Sequence, residues 1–114
     1  MAWVEVARVG EIPDGEGRQV ESGGHTIGLF NCAGRYLAVA DRCTHARAFL
    51  HEGSVDRRRC SVECPLHGAE FDLTSGEPLS PPATVAVQVY AVEVRGRMIL
   101  VEIPDGDEGA PEPA

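Results

Sequence analysis

With 114 residues and 43% hydrophobic content, the chain has enough for one domain with a modest core and too little for several. Eighteen acidic side chains against ten Lys and Arg leave a formal net charge of −8. That balance disfavours nucleic acid and anionic membranes and suits docking to partners with basic patches. Gly and Pro cut the sequence into pieces of strand length, and no apolar stretch keeps a helical period for ten or so residues, so an all-β fold is expected.

In chain order, a first strand is expected over residues 3–9, followed by a loop over 12–17. Residues 19–21 and 25–32 read as strands around a Gly23-Gly24 turn, and Ala33-Gly34 then turns the chain into a strand over 36–40. Arg57-Arg58-Arg59 reads as a solvated loop tip between Ser54 and Cys60. Val85, Val87 and Val89 alternate, and Val92 and Val94 resume on the opposite phase, which implies a bulge or a bend. Arg95-Gly96-Arg97 is expected to close a hairpin into a last strand over 98–103. Residues 104–114 hold three prolines, two glycines and four acidic side chains, the composition of a disordered acidic tail.

Two pairs of metal-ligating residues stand out: Cys43-Thr44-His45 and Cys64-Pro65-Leu66-His67. In extended backbone a C-x-H step projects both side chains to one face. A C-x-x-H step closes through a four-residue turn whose ends lie within about 7 Å. Two such loops can clamp one small metal centre. A structural zinc site is the plainer alternative, but zinc knuckles usually separate their ligands by two to four residues, and C-x-H is tighter. Cys32 and Cys60 remain unassigned and read as small core residues, with a disulfide between them as the alternative. His25 reads as a surface residue of a hairpin, and His51 as a histidine without a metal role. There is no nucleophile with a paired base and no phosphate-cradling Gly loop, so an enzyme in its own right is not expected. Met1-Ala2-Trp3-Val4-Glu5 lacks the basic start and apolar stretch of a signal peptide, and no segment approaches a membrane span, so a cytoplasmic location is expected.

Asp41-Arg42-Cys43-Thr44-His45 and the run from Cys64 to Asp72 resemble the two cluster-binding loops of Rieske [2Fe–2S] ferredoxins. Thr74-Ser75-Gly76-Glu77-Pro78 and Pro81-Pro82 also fit the family, in which such a segment covers the cluster on a third side. The resemblance implies a small antiparallel β-sandwich or barrel base, residues 1–40 and 84–103, with a cluster-binding insertion over 41–83, together one domain over 1–103. It implies that Cys43 and Cys64 hold one iron and His45 and His67 the other. Respiratory and photosynthetic members add a disulfide-forming cysteine to each loop, where this chain has Ala48 and Leu66. They also place a serine and a tyrosine hydroxyl near the cluster, where this chain has Ala69 and Phe71. Without those donors the reduction potential is expected near the bottom of the Rieske range, about −150 mV.

The small chain resembles the Rieske ferredoxins of bacterial aromatic-ring-hydroxylating dioxygenases. These pass electrons singly from an NADH-dependent flavoprotein reductase to the Rieske centre of a terminal oxygenase. A monomeric carrier is expected, with Arg42 and Arg47 as candidate partner contacts beside the first ligand pair. A Rieske protein of iron–sulfur cluster assembly and the small subunit of a nitrite reductase are the alternative contexts.

Overall fold

The computed structural model describes residues 2–44, 48–66, 68–80 and 85–104. Among them lie ten short strands: β1 (Ala2–Arg8), β2 (Gly17–Ser22), β3 (His25–Cys32), β4 (Arg35–Ala40), β5 (Ser54–Asp56), β6 (Ser61–Glu63), β7 (Glu70–Asp72), β8 (Val89–Tyr90), β9 (Val92–Arg95) and β10 (Met98–Ile103). One 3-10 turn, Leu50–Glu52, interrupts them. The strands form three antiparallel sheets with orders β1-β10-β9, β2-β3-β4-β8 and β5-β6-β7.

Turn chemistry sets the register of the central sheet. Ser22 pairs with His25 across Gly23 and Gly24, whose φ angles of +58° and +82° are those of a primed hairpin turn. The expected first strands are present to within two residues at either end. The phase change after Val89 has a different cause from a bulge inside one strand. Val89 and Tyr90 pair with β4, whereas Val92 onward pairs with β10, so the chain passes between sheets at Ala91. A register shift does occur in β1, between Glu5 and Ala7. The hairpin at Gly96 forms as expected, with Arg95 opposite Met98. No strands were expected from the sequence over the stretch that forms the β5-β6-β7 sheet.

Side-chain alternation makes β3 and β4 shared walls between two cores. Ile27, Leu29 and Ala38 point into a core with Ala7, Ile12, Tyr90, Ile99, Val101 and Ile103. Phe30 and Val39 point the other way, into a core with Leu50, Val62, Phe71, Leu73 and Val87. The second core also contains Cys43, Cys64 and Ala69. Both cysteine loops are therefore seated on the outer side of the central sheet, on the same apolar packing that buries Phe71.

Candidate metal centre

The two cysteine loops are built alike. The first leaves β4 through Asp41, and its arms are joined by an Arg42–Phe49 bridge and by Leu50 N–H donating to the Asp41 carbonyl at 2.7 Å. Its tip is closed by Cys43 N–H donating to the Ala48 carbonyl at 2.9 Å. The second loop leaves β6, and Cys64 N–H donates to the Ala69 carbonyl at 2.6 Å. In each, the cysteine amide binds the carbonyl five residues on and an alanine closes the turn. That shared spacing was present in the sequence.

Cys43 and Cys64 are both buried, 4% and 1% exposed, and neither is in a disulfide. Burial pushes the Cys64 thiol above its usual pKa, as does the Cys43 side chain hydrogen-bonded to it, while the Leu66 amide pulls it down. Two buried cysteine sulfurs side by side are soft donors of the kind that bind iron or zinc. The donor set therefore fits a thiolate-bound metal centre. The other two expected ligands, His45 and His67, lie outside the described residues, as do Arg47, Pro81 and Pro82.

A third segment holds the second loop from the side. Asp72 accepts hydrogen bonds from the Thr74 hydroxyl at 2.6 Å and from the Thr74 and Ser75 amides at 2.8 and 3.3 Å. These donors, the Thr74 hydroxyl foremost, hold the Asp72 carboxyl below the usual carboxylate range. Residues 74–80 then run back along β7, with Leu79 N–H donating to the Glu70 carbonyl at 2.7 Å and Pro78 bridged to Phe71. Gly76 occupies φ +80°, and a Cβ there would lie 2.2 Å from the Val87 carbonyl oxygen, whose own amide donates to Gly76. Thr44, beside Cys43, donates its hydroxyl to the Val85 carbonyl at 2.7 Å. Ala69 and Phe71 are fully buried.

Three expectations need correction or refinement. Cys32 and Cys60 are not separate core thiols; they form a disulfide with Cα atoms 5.7 Å apart. The bond joins the end of β3 to the β5–β6 turn, where Cys60 takes φ +52° and its carbonyl accepts from Leu73 N–H at 2.8 Å. The 28-residue separation hid the pairing, since proximity arises only when the β5-β6-β7 sheet folds against β3. His25 is half-buried instead of superficial, with Nδ1 2.9 Å from the Tyr90 hydroxyl and the two rings edge to face. His51 has its Nδ1 engaged with Asp41 at 2.6 Å. The Arg57-Arg58-Arg59 tip is solvated as expected; Arg57 pairs with Asp14 at 2.7 Å and Arg59 with Glu70 at 3.5 Å, both on the surface.

The Rieske [2Fe-2S] domain profile matches residues 2–91. The chain is 38% identical over 97 residues to the 3-phenylpropionate/cinnamic acid dioxygenase ferredoxin subunit of Escherichia coli (strain K12), covering 85% of this chain and 90% of that protein. Among solved structures, the ferredoxin of carbazole 1,9a-dioxygenase from Nocardioides aromaticivorans IC177 superposes with a TM-score of 0.85 at 30% identity, covering 89% of this chain and 97% of that one. A chain of the complex of reduced oxygenase and oxidized ferredoxin in carbazole 1,9a-dioxygenase gives a TM-score of 0.80 at 33% identity, covering 87% and 91% respectively.

Proposed function

Because this chain belongs to the Rieske [2Fe–2S] domain family and its cofactor is one Rieske-type cluster, we propose that it is the ferredoxin of a multicomponent aromatic-ring dioxygenase. It takes electrons from an NADH-dependent flavoprotein reductase and delivers them to a terminal Rieske oxygenase. The observation that carries this reading is the 38% identity, across nearly the full length of both chains, to a named dioxygenase ferredoxin subunit.

The ligand set is Cys43 and Cys64 for one iron and His45 and His67 for the other. Its support is the pair of matched loops that bring two buried cysteine side chains together. The bound cluster supplies reversible one-electron chemistry. The protein's own part is to hold the two thiols in place, to keep water from them with Leu50, Phe71 and Val87, and to aim the Leu66 amide at Cys64 sulfur. Phe49 and Leu66 on the two loops, with Leu79 and Val85 beside them, are 41%, 42%, 41% and 60% exposed. Exposed apolar side chains on the two cysteine loops suit transient docking of a redox partner. The division into a base, residues 1–40 and 84–103, and an insertion over 41–83 is supported by the separate β5-β6-β7 sheet. No helix among the described residues is long and apolar enough to cross a membrane, and dependence on NADH favours the cytoplasm.

The test is reconstitution. Purified protein, added to a dioxygenase-type reductase and terminal oxygenase, should couple NADH oxidation to product formation, with one electron accepted per chain. Failure to accept electrons from such a reductase overturns the reading. Tight copurification with a nitrite reductase large subunit would favour the other redox context.

A further inference from the structure

Asp41 is fully buried, and its carboxylate is gripped by three donors. Gln19 Nε2 reaches Oδ2 at 2.9 Å, His51 N–H reaches Oδ1 at 2.8 Å, and His51 Nδ1 lies 2.6 Å from Oδ2. A buried carboxylate needs donors to its oxygens, and the geometry assigns His51 Nδ1 as the donor to Oδ2. The pocket is shaped for this group. A Cβ at Gly28 would lie 2.7 Å from Asp41 Oδ1, so β3 has no side chain where the carboxylate sits.

Asp41 also ties the base to the first cysteine loop through its backbone. Its N–H donates to the Thr26 carbonyl on β3 at 3.0 Å, and its carbonyl accepts from Leu50 N–H at 2.7 Å. Two residues later the chain reaches Cys43. His51 therefore closes a fixed triangle of β2 (Gln19), β3 (Thr26 and Gly28) and both arms of the loop. Of the three donors, His51 supplies two, from one residue on the far arm. The other face of its ring lies toward Glu52, with Nε2 3.9 Å from Oε2.

We propose that His51 is a positioning residue for the metal centre: acting through Asp41, it fixes the arms of the first cysteine loop and thereby the seat of Cys43. This rests on the proposed role of Cys43 as a ligand. His51 itself binds no metal; its contribution is a rigid stem under the loop that the Cys43–Ala48 hydrogen bond closes.

The test compares His51→Ala, His51→Asn and His51→Gln with wild type as cluster-loaded full-length chains. The Asn side-chain amide reaches the position of Nδ1, whereas the Gln amide falls nearer that of Nε2. Amide hydrogen exchange over residues 41–50, the midpoint potential and iron content are measured. His51→Ala should speed exchange in that segment by about tenfold or more, the factor expected for losing a hydrogen bond to a charged group. It should also shift the midpoint potential, while exchange in β9 and β10 stays unchanged. Asn should restore both properties and Gln should not. If Ala does not accumulate, the Asn–Gln contrast decides alone. Unchanged loop exchange and potential in Ala, equal behaviour of Asn and Gln, or a uniform loss of protection across the chain overturns the proposal. Absence of a cluster from wild type would overturn the ligand reading instead, and loop exchange in the metal-free variants would still decide whether His51 clamps the loop.

Discussion

The Cys32–Cys60 bond is the strongest single tie between the β5–β6 hairpin and the central sheet, and its removal should be measurable. In the chain-entropy account, closing a loop of 28 residues restricts the unfolded chain by about 3.6 kcal/mol at 25 °C. With a urea slope of about 2 kcal/mol per molar, reduction should lower the unfolding midpoint by about 1.8 M. The measurement belongs on metal-free protein, because ligation would cross-link an overlapping stretch of chain and mask part of the effect. Urea titrations with and without a thiol reductant give the difference. A Cys32→Ala variant, unable to form the bond, should show the same midpoint in both. Alkylation followed by mass analysis should find two reactive thiols per unfolded chain before reduction and four after. Four thiols before reduction, with superimposable urea curves, would refute the argument. The result also bears on where the protein works, since persistent disulfides are uncommon in a reducing cytosol.

Three shorter predictions follow from the site. Gly76→Ala places a side chain at φ +80° and within 2.2 Å of the Val87 carbonyl oxygen, so it should cost at least about 2 kcal/mol in a denaturant titration; wild-type stability would show that the residue 74–80 segment yields freely. In metal-free protein, the Cys64 thiol is raised above its ordinary value of 9.0, so the native state keeps a proton that the unfolded chain releases. That contribution is complete below the unfolded pKa and lost as pH climbs through the folded one. Stability should thus decline above about pH 9, and a Cys64→Ala variant should flatten the decline. Phe71→Tyr, which offers a hydroxyl beside the two cysteines, should raise the midpoint potential from about −150 mV in a spectroelectrochemical titration; a wild-type midpoint above zero would contradict the inference drawn from Ala69 and Phe71.

The strands of the two larger sheets were legible in the sequence because their signals are local. Gly23-Gly24, Ala33-Gly34 and Gly96 mark the hairpins, and the alternating valines mark their faces. The slip between Val89 and Val92 was visible too, but its meaning was not. A period-2 phase change looks the same whether a strand bulges or the chain passes to another sheet, and only the partners of Val89 and Val92 distinguish them. The strands Ser54–Asp56, Ser61–Glu63 and Glu70–Asp72 are three residues each, too short to carry a period. The Cys43 and Cys64 loops could be read because thiols and imidazoles at set spacing have few other uses. Cys32–Cys60, Gln19–Asp41 and Asp41–His51 could not, since each joins residues far apart in a folded geometry that no local pattern encodes.

Those hidden contacts have a common consequence. The two cysteine loops are short, and among the described residues a cysteine amide to alanine carbonyl hydrogen bond spans each. What keeps them in register lies below the tips and comes from three directions. Asp41 and His51 brace the first loop against β2 and β3, and the disulfide anchors the hairpin that leads into the second. The Asp72 turn and Gly76 lay residues 74–80 along β7 on the remaining side. A one-electron carrier gains from this arrangement because groups already held in place need not rearrange when charge arrives. The supports end on different strands, so loosening one leaves the others engaged.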